Sequence, residues 1–125
     1  MQSSRVTYLI FVIFKVPLQV QVEPAKKVLN VGEALILSCQ IIGHPISSVV
    51  WLKDGQHVPS DRIHYADIQR VSTLSISAIR SEDKGMYQCF AHNERNVVQS
   101  TAQIILGGRY TNASLYFLKY NFIKC

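Results

Sequence analysis

Asp83-Lys84-Gly85-Met86-Tyr87-Gln88-Cys89 is the stretch that decides the fold. Side chains alternate along an extended chain, so Tyr87 and Cys89 share one face while Met86 and Phe90 share the other. The same count applies upstream. Around Cys39 the order Leu35, Leu37, Cys39, Ile41 puts every second residue on an apolar face, the signature of a strand with one side on a core. Val49 and Trp51 repeat it, and Asp54-Gly55 directly after them is the dipeptide favoured where a two-residue hairpin loop needs positive φ. Further strands are expected over 62–66, over 72–78 with Leu74 and Ile76 inward, over 85–92 and over 97–106. Glu23-Pro24 should split the first strand in two, because proline cannot donate to a ladder. An all-β sandwich of two antiparallel sheets follows.

The chain has 125 residues and a formal charge of +5. That length holds one domain of about 100 residues with tails, large enough to bury a core unaided. The expected division is an apolar leader or extension over 1–17, the domain over 18–108 and a divergent tail over 109–125. Between Leu18 and Gly108 eight acidic residues balance eight basic ones, and the excess is Arg5, Lys15, Arg109, Lys119 and Lys124. A nucleic-acid partner needs a basic stripe on the folded surface, which this distribution does not offer. His44, His57, His64 and His92 fall at no zinc spacing, and no Gly-x-Ser-x-Gly turn supplies a nucleophile. No catalytic residue, metal, cofactor or small-molecule substrate is therefore expected, although His64 and His92 could tune an interface with pH.

Cys39, Trp51, Tyr87 and Cys89 together resemble the hallmark set of the immunoglobulin fold. The resemblance implies a disulfide between Cys39 and Cys89 across the sheets, Trp51 packed on it, and Tyr87 pinning a corner. It further implies that Arg62 pairs with Asp83, with Gly85 completing the Asp-x-Gly-x-Tyr-x-Cys corner. With 49 residues between the cysteines there is no space for the extra hairpin of variable-type domains, so the compact intermediate (I-set) type is expected. Closing such a loop contributes about 4 kcal/mol on the chain-entropy model. A disulfide implies an oxidising compartment, whereas a reduced pair would suit an intracellular sandwich.

The words VEPAKKVLNVGE, GHPISSVVWLKDG, SEDKGMYQCFAHNER and STAQIILGGR resemble an immunoglobulin domain of the Down syndrome cell adhesion molecule family, most of all its hypervariable arthropod type. Such proteins carry tandem immunoglobulin and fibronectin domains on one membrane span and recognise identical copies on opposing cells. The resemblance implies a module for protein recognition and homophilic, neuronal adhesion on the extracellular side of the membrane. Alternatives are a structural module of an intracellular filament protein and an ectodomain piece of a receptor kinase. The partner would be an identical molecule or a neighbouring immunoglobulin domain.

Counting outward from Trp51 and Cys89 turns Val50, Leu52, Met86 and Phe90 away from the core, with Ile105 expected beside them, and a face this apolar is a candidate protein interface. The other sheet should show polar Ser38, Gln40, Thr73, Ser75 and Ser77 outward. Arg5 and the apolar run 8–14 faintly resemble a secretory signal. Asn112-Ala113-Ser114 is a glycosylation sequon in the tail, Cys125 is an odd thiol at its end, and no stretch of the tail reaches the length of a membrane span.

Overall fold

The computed structural model describes residues 16–107. Among the described residues nine strands occur in chain order: β1 Gln19–Glu23, β2 Lys26–Leu29, β3 Leu35–Ile42, β4 Ser48–Lys53, β5 Gln56–His57, β6 Ile63–Ala66, β7 Val71–Ile76, β8 Gly85–His92 and β9 Val97–Leu106. They form two stacked sheets of order β1-β3-β7-β6 and β2-β9-β8-β4-β5. All pairings are antiparallel except β2 with β9, which run parallel.

The break at Glu23-Pro24 does more than shorten a strand. It sends β1 to one sheet and β2 to the other, so the first segment closes both sheets along the same side. Val22 fixes the crossing by donating its N–H to Ser100 Oγ of β9 at 2.9 Å. The loop Asp54-Gly55 joins β4 to β5 with φ of 48° and 85°, the twist that a two-residue hairpin demands. The 62–66 segment begins differently from expectation. Pro59 leads into a 3-10 turn, Ser60–Arg62, closed by the Arg62 N–H to the Pro59 carbonyl at 3.1 Å, so Arg62 precedes β6 and does not open it. Strand β7 stops at Ile76, and Ser77 and Ala78 are exposed beyond it.

The core lies between the sheets at the alternate positions. Leu35, Leu37, Cys39 and Ile41 of β3 meet Trp51 of β4, Leu74 and Ile76 of β7, and Tyr87, Cys89 and Ala91 of β8. Outside the four-stranded sheet Gln40 and Ser75 are exposed as expected and Ser38 and Thr73 are half-buried, while Gln21, Ile36 and Ile42 are exposed there too. Val16 and Pro17 already run along the domain: the Val16 carbonyl accepts the His44 N–H at 3.0 Å, and a Cβ on Gly43 would lie 2.1 Å from the Pro17 carbonyl oxygen. Only glycine fits there, and its φ of +99° requires the same residue. The run 8–14, Asn112 with its sequon, Cys125 and the flanking basic residues lie outside the described residues.

Candidate functional site

Cys39 and Cys89 form the disulfide, with their Cα atoms 6.4 Å apart and the bond tying β3 to β8 across the core. Trp51 sits opposite Cys89 in the β4–β8 register and is 1% exposed. An indole this deep needs a partner for its N–H. Ser72 provides it, with Nε1 donating to Oγ at 2.8 Å. The sequence reading missed this bond, although the signal was present: Ser72 keeps phase with inward Leu74 and Ile76, and a serine on a buried face calls for a polar partner. Ser100, in phase with buried Ala102 and Ile104, carries the same signal for its bond to Val22.

The corner residues converge on Asp83. A 3-10 turn, Ser81–Asp83, brings the carboxylate back over its own backbone, where Oδ2 accepts the Arg80 N–H at 2.7 Å. Oδ1 lies 3.5 Å from Arg62 Nη1, and the acid side chain is 8% exposed against 37% for the arginine. With the arginine so wet and the contact this long, the ion pair itself is worth under about 1 kcal/mol. Tyr87 donates its hydroxyl to the Asp83 carbonyl at 2.6 Å. Burial, with the Asp83 charge adding to it, pushes the Tyr87 phenol up to about 12 from its ordinary 10.

Gly85 has φ +144°, and a Cβ there would meet Asp54 Oδ2 at 2.4 Å. The reason is that Asp54 folds across from the β4–β5 loop to accept the Met86 N–H at 3.0 Å. That amide, together with Lys53 Nζ at 3.2 Å, holds the Asp54 carboxyl below the usual range. These residues shape the sandwich, and none of them makes an exposed reactive pair.

Tyr87→Phe should lower stability by about 1 to 3 kcal/mol at neutral pH by leaving a buried carbonyl unpaired. The folded protein holds the phenol proton more tightly than the unfolded chain, so this contribution is complete below about pH 10 and fades as pH rises through about 12. Urea titrations across that range should show the parent losing stability and Tyr87→Phe losing less. Parallel curves would contradict the assignment.

The outer face of the five-stranded sheet is the candidate binding surface. Val50 lies opposite Phe90, Leu52 opposite Gln88, and Met86 opposite Gln103. Diagonal neighbours in such a sheet are within reach of long side chains, so Val50, Leu52, Phe90 and Met86 form one group. Met86 is 42% exposed, and the other three are half-buried. Gln88 shields part of them by donating its amide N–H to Gln99 Oε1 at 2.9 Å. Ile105 lies two residues along β9 from Gln103, diagonal to Met86, and opposite Val28 in the parallel register with β2. His92 closes the other end of the face, its Nε2 2.5 Å from Ser48 Oγ. Among the described residues no cluster of His, Cys, Asp and Glu could hold a metal ion. A face of apolar side chains flanked by the Gln88 and Gln99 amides has the composition of a protein contact.

Known proteins resemble the chain over this same region. The family profile described as "Immunoglobulin I-set domain" matches residues 18–106. Cell adhesion molecule Dscam1 of Drosophila melanogaster is 33% identical over 94 residues, which is 75% of this chain and 4% of that protein. Netrin receptor DCC of Rattus norvegicus is 42% identical over 69 residues, 54% of this chain and 5% of the receptor. Among solved structures, the N-terminal eight Ig domains of Down Syndrome Cell Adhesion Molecule superpose with a TM-score of 0.65 at 36% identity, covering 76% of this chain and 11% of that one. The chain thus spans a small fraction of these relatives, which are cell-surface adhesion and receptor proteins. With the I-set profile running from β1 to the end of β9 and the disulfide, tryptophan and tyrosine corner in place, the chain belongs to the immunoglobulin I-set domain family.

Proposed function

We propose that this domain recognises other proteins by non-covalent contact on the extracellular side of the plasma membrane, and that its partner is an identical domain on an opposing cell. The single observation carrying this reading is the group Val50, Leu52, Phe90 and Met86 on the outside of the five-stranded sheet. A contact face rather than a cleft suits adhesion, where many weak copies act together. Similarity to Dscam1, to the netrin receptor and to other receptors supports the surface location. The small share of those relatives that the chain spans favours a second reading, in which the same face packs on a neighbouring domain of a tandem array.

Beads coated with the full chain should aggregate, and Phe90→Ser combined with Leu52→Ser should reduce aggregation at least about tenfold, since each truncation removes roughly 1 to 3 kcal/mol of apolar contact per copy. Beads that stay dispersed with the parent protein would refute homophilic contact and leave the neighbouring-domain reading. Equal aggregation by parent and variant would remove this face from the homophilic role.

A further inference from the structure

Ile68 is 91% exposed, far more than the other large apolar side chains described. It sits in the turn 67–70 between β6 and β7, where a β-branched residue is unusual and polar ones normally serve. Beside it a cleft of about 550 Å³ opens between β4 and β6. The cleft exists because β5 pairs only with Leu52 and Lys53, so the first half of β4 and the edge of β6 have no strand between them. Ile46, Val49, Ile63 and Tyr65 give it apolar walls. Asp67 and Arg70 also line it, and they are the two ends of the turn that carries Ile68. Ser47, Ser48 and Ser72 complete the lining, so an apolar knob and a cleft of mixed lining share one rim.

We propose that a second copy of this chain docks here by reciprocal exchange, the Ile68 of each copy entering the cleft of the other about a twofold axis beside the turn. Charge complementarity selects a second copy over an unrelated apolar segment. Under a twofold rotation Asp67 of one copy comes to Arg70 of the other, and the reverse pair forms at the same time. Asp67 makes no ion pair among the described residues, and Arg70 is steadied at the rim by donating to the Gly43 carbonyl. Because knob and hole adjoin, the exchange closes at two copies, whereas a knob distant from its hole would build an open filament. The contact is small beside the roughly 1,000 Å² of a lasting interface, so it is weak in solution and gains from many copies on one surface. It shares with the homophilic reading only the identity of the partner and uses a different surface.

The test is amide NMR of the full chain carrying Cys125→Ser, which removes covalent dimers, followed over a dilution series. Concentration-dependent shifts are expected at Ile46, Val49, Ile63 and residues 67–70. Ile68→Asp, at a site too exposed to disturb folding, should weaken the association at least about tenfold. Asp67→Lys should weaken it too, and mixing that variant with Arg70→Glu should restore it, because only the mixed pair has both contacts complementary. Should Arg70→Glu fail to fold, the first two variants still decide. Absence of concentration dependence, or shifts that survive Ile68→Asp unchanged, would overturn the proposal. Shifts confined to Val50, Leu52 and Phe90 would overturn it while leaving the proposed function intact.

Discussion

Replacing both bridge cysteines, Cys39→Ala with Cys89→Ala, should lower the free energy of unfolding by about 4 kcal/mol. The bridge closes a loop with a sequence separation of 50, and its main effect is to deny the unfolded chain the conformations in which β3 and β8 are far apart. A domain of this size is stable by only about 5 to 15 kcal/mol, so the loss is about a quarter of the whole or more. Urea denaturation of the full chain measures it directly. The midpoint should fall steeply for the double variant, and the parent treated with reductant under conditions that open the core should follow. A loss below about 1 kcal/mol would mean that the packing of Trp51 and Leu37 holds the sheets together without the bridge.

Trp51→Ala should be about as damaging, at roughly 3 to 5 kcal/mol, because it empties the largest fully buried side chain beside the bridge. Trp51→Phe separates the two things the indole does. It keeps most of the apolar volume but leaves Ser72 Oγ buried and unpaired, a cost of about 1 to 3 kcal/mol beyond the lost packing. Adding Ser72→Ala should recover part of that cost, so the double variant should be more stable than the sum of the singles allows. Strict additivity, read from urea midpoints of the four proteins, would show that the 2.8 Å bond contributes nothing.

What the sequence made legible is what period two can reveal. Strands 85–92 and 97–106, the inward set on 35–41 and the hairpin at Asp54-Gly55 all depend on residues near in sequence, whereas the pairing of Cys39 with Cys89 comes from the resemblance to the immunoglobulin set. Alternation says which way a side chain points and is silent about what it meets across the sandwich. The bonds from Trp51 to Ser72 and from Val22 to Ser100 span two sheets or two distant strands, and no local pattern names the partner. The same limit applies to Ile105, whose place diagonal to Met86 follows from its phase but whose other neighbour, Val28, is set by the parallel docking of β2. The cleft beside Ile68 was invisible for a related reason: it is an absence of strand, produced by the two-residue length of β5. Arg62 shows a third kind of limit, where a proline-led turn displaced a residue by one position from the strand it was expected to open.

The structural and functional accounts meet at one bond. A closed Cys39–Cys89 disulfide stabilises the sandwich and belongs to the oxidising compartment in which a cell-surface recognition module works. The most direct measurement is the mass of the protein taken from the cells that make it, alkylated while unfolded, with and without prior reduction. The account predicts that Cys39 and Cys89 take up alkylating reagent only after reduction. Alkylation of both without reductant would contradict it and place the domain among reduced, intracellular sandwiches.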